Sequence, residues 1–224
     1  MLAGVVTGTL CGAVNGVLLA ELRVPALIVT LGTLGIVLGL ADVVTHGLDV
    51  TDVPNSLQSA IGYRNIEGIP VLVIIALAAV VIGGLMLQGT RFGRHTYAIG
   101  SNIEAARRAG IPVTQRTILI YVLQGLLAGV AGVLCLSHYG TTLIAGHDTD
   151  NLTVITGVIL GGCSLFGGTG TISGTVLGVL IPAIAANGLI IIGTQSFWQQ
   201  VVSGAILIAA VYFDQIRRRA RHRA

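Results

Sequence analysis

The chain has 224 residues, 54% of them hydrophobic and only 9% charged, with a mean hydropathy of +0.91. A soluble domain carries about 25% charged residues, so the composition excludes a soluble globular protein and places the chain in a membrane. The pI near 9.0 rests on twelve arginines with no lysine, and aromatic residues at 4% leave too little stacking material for a nucleic-acid partner.

The first apolar run, near 2–20, has no positively charged start, so it reads as a span and not as a secretory signal. It places Gly4, Gly8, Gly12 and Gly16 four residues apart on nearly one helix face, which predicts a close helix contact. Further runs able to cross about 30 Å of hydrocarbon lie near 26–44, 70–88, 118–137, 174–193 and 197–213. A seventh run, 152–166, makes only about 22 Å of helix and is short or re-entrant unless it extends into the glycine stretch. The expected fold is an all-α polytopic transmembrane helix bundle of about seven spans, forming one domain over 1–224.

Arginine placement orients these spans. Arg23, the group Arg91, Arg94, Arg107, Arg108 and Arg116 in the loop 89–117, and the tail from Arg217 to Arg223 are cytoplasmic by the positive-inside rule. Arg64 shares the segment 45–69 with Asp49, Asp52 and Glu67, while 138–151 carries Asp148 and Asp150 and no arginine; both segments are then external. The alternation requires 152–166 to cross or re-enter. It puts the amino terminus outside and the basic tail 214–224 in the cytoplasm, and an external start of this kind points to further spans upstream.

Polar groups inside the spans are Asn15, Gln124 and Asn187, with Asp42, Tyr121 and His138 nearer an edge. Each either makes an interhelical hydrogen bond or lines a pathway. No carboxylate pairs with a basic residue at helical spacing, which weighs against a proton or ion relay. Cys11, Cys135 and Cys163 stand alone in apolar runs as packing residues, and His138 and His147 read as interfacial; neither set has metal-ligand spacing. No nucleophile and base pair is evident, so neither a catalytic site nor a bound cofactor is expected.

The stretch GGCSLFGGTG, 161–170, invites a phosphate-loop reading that its details refuse. A P-loop ends in Gly-Lys-Ser/Thr, and the last glycine gap of Gly168–Gly174 is three residues where the dinucleotide fingerprint has two. Gly161, Gly162, Gly167, Gly168 and Gly170 instead predict a tight reversal between two packed membrane segments, with Thr169, Thr171 and Ser173 available to freed backbone groups.

In the loop 89–117, Asn102 predicts the cap of a short helix over 103–109, ended by Gly110 and Pro112. That helix is too polar for lipid and too short to stand alone. It rests on a partner protein, or the loop is solvated and its arginines fix topology and meet anionic lipid.

The loop stretch YAIGSNIEAARRAGIPV resembles the cytoplasmic coupling segment of permease subunits in ribose-type sugar ABC importers, with Gly100, Asn102, Glu104, Ala105, Ala106, Gly110 and Ile111 matching. LRVPALIVTLGTLGIVLGLA from Leu22, GVILGGCSLFGGTGTISGTVLG from Gly157 and NGLIIIGTQSFWQQVVSGAILIAAVYFD from Asn187 resemble the same family, which also includes branched-chain amino acid permeases. The resemblance implies a non-catalytic permease in the inner membrane of a bacterium, surrounded by lipid. It would pair with a second permease, the same or paralogous, and receive sugar from an extracytoplasmic solute-binding protein. Cytoplasmic ATP-binding-cassette ATPase subunits would bind the segment 89–117, with Arg94, Gly100, Asn102, Glu104, Arg107, Arg108 and Gly110 as coupling residues. Members carry spans upstream of the four-glycine segment, which this chain is expected to lack. They also carry an acidic residue just before the short span, where this chain has Asp148, Thr149 and Asp150. The alternatives are transport of branched-chain amino acids or nucleosides, and a secondary transporter or channel that needs no ATPase.

Overall fold

The structure is a computed structural model that describes residues 1–22, 24–49, 53–54, 57–141, 150–164, 167–194 and 196–221. Arg23, Asp52, His147, Asp148, Thr149 and Arg223 therefore lie outside the described residues, as do Leu165 and Phe166 of the glycine stretch. The chain divides into two compact units, Met1–Ala79 with Gly110–Gly146, and Val80–Ala109 with His147–Ala224.

The first unit contains α1 (Leu2–Leu22), α2 (Ala26–Thr45), the start of α3 (Val71–Gly89) and α6 (Val113–Tyr139). Proline and left-handed residues set the boundaries. α2 begins behind Pro25 and closes on His46 at φ 55°, while α6 begins behind Pro112 and closes on Gly140 at φ 68°. The main contact joins α1 to α6. A Cβ on Gly12 would stand 2.9 Å from the Gly125 Cα, one on Gly8 2.8 Å from the Gly129 Cα, and one on Gly16 2.9 Å from the Ile118 Cα. Each side chain heavier than hydrogen would force the helices apart, so the four-residue glycine spacing sets how near the axes come.

The connection between α2 and α3 contains two elements that the sequence reading passed over. A π-helical turn, Gln58–Gly62, sits against the end of α6, with Gly62 against the Ser137 carbonyl. A minimal hairpin pairs Asn65–Ile66 (β1) with Ile69–Pro70 (β2), and Glu67 at φ 53° and Gly68 at φ 86° form its primed two-residue turn.

The second unit contains the rest of α3, α4 (Arg91–Ser101), α5 (Ile103–Arg108), α7 (Asp150–Leu160), α8 (Ile172–Ile191) and α9 (Ser196–Arg221). α7 and α8 meet through a second set of glycines. A Cβ on Gly157 would stand 2.7 Å from the Val179 Cα, and one on Gly161 2.7 Å from the Thr175 Cα. The short span is shorter than its apolar run: α7 stops at Leu160, where Gly162 at φ 86° turns the backbone left-handed, leaving 11 residues. At about 1.5 Å per residue that is roughly 16 Å of helix. Its start at Asp150 places a carboxylate in the first turn, beside the positive end of the helix dipole. α9 runs on into the expected basic tail, so 214–221 is helical.

Among the described residues, five helices are long and apolar enough to cross a membrane: α1, α2, α3, α6 and α8. α7 and the Gln200–Tyr212 part of α9 are apolar but shorter. Buried apolar side chains are few, among them Val29, Ala106 and Ile159, whereas Leu31, Ile82 and Ile184 are more than half exposed. Large apolar residues on the outside and glycine on the inside are what a lipid solvent selects. Polar hydroxyls are satisfied within their own helices: Thr9, Thr45, Ser137 and Thr156 each donate to the carbonyl four residues back, at 2.6–3.0 Å. The protein is an all-α polytopic membrane protein.

Candidate functional site: a polar groove and an arginine-rich helix pair

Within the first unit, α1, α2 and α6 line an open groove of about 560 Å³. Asn15 and Gln124 both face it because each flanks a contact glycine, Gly16 on α1 and Gly125 on α6. Close approach of the helices thereby brings two amides from distant parts of the sequence to one surface. Tyr121, Cys11, Thr7 and Thr30 add further polar groups, and among the described residues no aspartate, glutamate or arginine lines the groove.

The hydrogen bonding of these groups is one-sided. The Thr7 hydroxyl donates to the Ala3 carbonyl at 2.8 Å and the Thr30 hydroxyl to the Ala26 carbonyl at 3.0 Å. Their protons are committed to the backbone, so they offer only lone pairs. The Asn15 Oδ1 is buried and has no hydrogen-bond partner among the described residues, while Gln124 is exposed. A surface of this kind accepts hydroxyl protons and gives back a few N–H groups. It offers no counter-charge to an ion.

Asn187 is separate from this groove: it lies on α8 in the second unit, exposed. Asp42 is exposed on the last turn of α2, and His138 lies among rings, 6.3 Å from Tyr63 and 5.0 Å from Tyr139. Among the described residues, no three histidine, cysteine or acidic side chains gather as metal ligands would.

The arginine-rich segment folds as two helices where the sequence reading had one. α4 is capped by Thr90, whose Oγ1 accepts from the Gly93 N–H at 3.4 Å, and it exposes Arg91 and Arg94. Its signal was an amphipathic pattern hidden by low overall hydrophobicity. Asn102 ends α4 and starts α5, its Oδ1 accepting from the Ala105 N–H at 3.0 Å. Ala106 is buried at 4% exposure and anchors α5, while Glu104, Arg107 and Arg108 face outward. Glu104 and Arg107 lie 3.5 Å apart on one exposed face, an ion pair worth little to stability. Gly110, at φ 78°, then releases the chain toward Pro112.

The glycine stretch packs on α4. Gly167 and Gly168 take left-handed φ of 89° and 81°, the Gly167 N–H donates to the Ser164 carbonyl, and the Ser164 N–H donates to the Thr169 carbonyl, both at 3.1 Å. A Cβ on Gly100 would stand 2.6 Å from the Gly168 nitrogen, and one on Gly170 2.5 Å from the Cys163 Sγ. Thr171 caps α8, its Oγ1 accepting from the Gly174 N–H at 3.1 Å. Sequence reading missed Tyr97, whose hydroxyl donates to the Gly170 carbonyl at 2.8 Å, and the α6 glycines Gly125 and Gly129. The second omission was avoidable, since Gly125 and Gly129 repeat the four-residue spacing of α1.

Comparison with known proteins gives these features a family. The chain is 42% identical over 208 residues to the L-arabinose transport system permease protein AraH of Escherichia coli (strain K12), covering 93% of this chain and 63% of that protein. It is 39% identical over 202 residues to the ribose import permease protein RbsC of Bacillus subtilis (strain 168), covering 90% and 63%. It is 35% identical over 223 residues to the fructose import permease protein FrcC of Rhizobium meliloti, covering 96% and 62%. The chain thus spans less than two thirds of the length of these curated relatives. No solved structure matches. The family described as branched-chain amino acid transport system / permease component matches residues 1–211, and the chain belongs to it.

Proposed function

We propose that the chain is the membrane-spanning permease of an ATP-binding-cassette importer for a neutral, hydroxyl-rich solute of the sugar class, in the inner membrane of a bacterium with its C-terminus cytoplasmic. The observation that carries the solute class is the groove's chemistry: amides, threonine lone pairs and a phenol, with no ionised side chain among the described residues. Hydroxyl groups of a sugar find acceptors there, and its ring oxygen finds a Gln124 N–H group. A branched-chain amino acid would bring an ammonium and a carboxylate to a wall without counter-charges, which is unfavourable in a low-dielectric setting. The names of the relatives agree with this choice.

In this reading ATP is hydrolysed on partner ATPase subunits and this chain performs no chemistry. The exposed α5, with Glu104, Arg107 and Arg108, is the surface those subunits hold, and α4 carries their motion toward the membrane. A second permease and an external solute-binding protein complete the assembly. The switch between outward-open and inward-open forms is then a rigid-body repacking of helices.

The deciding experiment co-purifies the chain with candidate ATP-binding-cassette ATPase subunits from its own organism. ATP hydrolysis is then measured with L-arabinose, D-ribose, D-fructose and L-leucine, each on its own binding protein. Stimulation by a sugar and none by leucine is expected. Stimulation by leucine alone would overturn the solute class, and failure of any complex to form would overturn the importer reading.

A further inference from the structure

We propose that Tyr97 is a positioning residue for energy coupling, pinning α4, the first helix of the arginine-rich pair, to the glycine turn between α7 and α8 so that they move as one body. The proposal rests on the importer reading for its function, and on geometry alone for the contact.

Three observations converge on this contact. Tyr97, on α4, reaches across 73 residues of sequence to donate its hydroxyl proton to the Gly170 carbonyl at 2.8 Å. One turn further along α4, Gly100 meets Gly167 and Gly168 backbone to backbone: a Cβ on Gly167 would stand 2.6 Å from the Gly100 carbonyl oxygen, and one on Gly168 3.0 Å from the Ser101 Cα. The turn itself is closed by its own hydrogen bonds, from Gly167 to Ser164 and from Ser164 to Thr169. Rigid contacts transmit displacement and loose ones absorb it. Here the end of α4 and the described part of the turn touch through backbone atoms and the short Ser101 side chain, and one phenol hydrogen bond fixes their register.

The turn leads directly into both helices of the α7–α8 pair. On one side, the Cys163 N–H donates to the Val158 carbonyl of α7 at 3.1 Å; on the other, Thr171 caps α8. The Cys163 Sγ lies 3.3 Å from the Thr175 Oγ1, tying the two sides of the turn together. A push on α4 therefore arrives at the base of two membrane helices at once. Tyr97 touches neither solute nor nucleotide in this scheme; it holds α4 in place against the turn.

The test separates the contact from its use. Tyr97→Phe removes the hydroxyl and keeps the ring, and Gly100→Ala inserts one methyl group into the backbone contact. In purified protein, amide exchange at Ser164, Gly167 and Asn102 is expected to accelerate together by about fivefold in Tyr97→Phe, the factor that matches one net hydrogen bond, and by more in Gly100→Ala. Amides of α1 and α6 should stay unchanged. Unchanged exchange at Ser164 and Gly167 in both variants would overturn the contact. In proteoliposomes holding the full complex, the number of ATP molecules hydrolysed per labelled L-arabinose, D-ribose or D-fructose taken up is expected to rise about fivefold in Tyr97→Phe, with ATPase binding intact. An unchanged ratio would overturn the coupling role while leaving the importer reading in place. A wild-type complex that hydrolyses ATP and takes up none of these sugars would overturn the importer reading, and the exchange experiment would still decide the contact.

Discussion

Glycine is used in two ways in this protein, and the two units separate them. On α1 and α6 the glycines lie in register at the four-residue spacing of one face, and their missing Cβ atoms set an interaxial distance. Around α7 and α8 the same residue type does that at Gly157 and Gly161, but Gly162, Gly167 and Gly168 also supply left-handed backbone that ends a helix and closes a turn. The first use needs only small size. The second needs a conformation that other residues adopt only under strain, so equal substitutions should fail for different reasons.

The largest expected effect comes from the first use. Gly12→Leu forces apart the contact with Gly125, and the protein should no longer accumulate as a folded monodisperse species in detergent. Gly35→Leu, where an added Cβ meets no described atom within 4 Å, should behave as wild type by the same size-exclusion assay. Equal outcomes for the two would break the claim that the α1 stripe is a contact. Gly168→Val should still insert, but it pays for a left-handed valine, about 1–2 kcal/mol, and for a clash with Ser101, giving a clearly lower thermal midpoint. Intact stability and uptake would remove the turn from the comparison.

Smaller effects test the polar groups beside each glycine set. In the first unit, Asn15→Leu should weaken sugar-dependent stimulation of hydrolysis by about tenfold, on the order of one well-made hydrogen bond, with little change in the amount of protein in the membrane. In the second unit, Thr171→Ala should lower stability by about 1 kcal/mol through loss of the α8 cap, read as a shifted thermal midpoint. The smallest effect on stability is expected for the double change Glu104→Gln and Arg107→Gln. The pair is exposed, and its removal should shift stability by less than about 1 kcal/mol, while uptake per ATP hydrolysed falls. Normal uptake with the ATPases still bound would deny this helix its coupling part.

The fold was largely legible because lipid imposes a simple code. Length and hydropathy located most of the helices, and the cap at Asn102 was readable because its side chain acts within three residues, whereas Thr171 was named only as a group available to freed backbone. α7 was overestimated because Cys163 and Leu165 extend the apolar run past the glycines that stop it, and hydropathy does not register φ. α4 was missed because its residues are too polar to score as a span and its apolar side is interrupted by glycine and histidine. Of the groove, Asn15 and Gln124 could be nominated singly as polar residues in spans. Their meeting could not be read, since it depends on pairing α1 with α6 across a hundred residues of sequence. Tyr97 was illegible for the same reason, as its partner is a backbone carbonyl with no identity in the sequence.

One consequence of the hydroxyl arrangement bears on biogenesis. Because Thr7, Thr9, Thr30, Thr45 and Ser137 each bond to a carbonyl of their own helix, none of them waits for a neighbour to satisfy it. Each helix can therefore leave the insertion machinery alone, with its threonines already quenched against hydrocarbon, and find its partner later by diffusion in the bilayer. These hydroxyls then set no assembly order, which is left to the glycine faces and to the amides of Asn15 and Gln124.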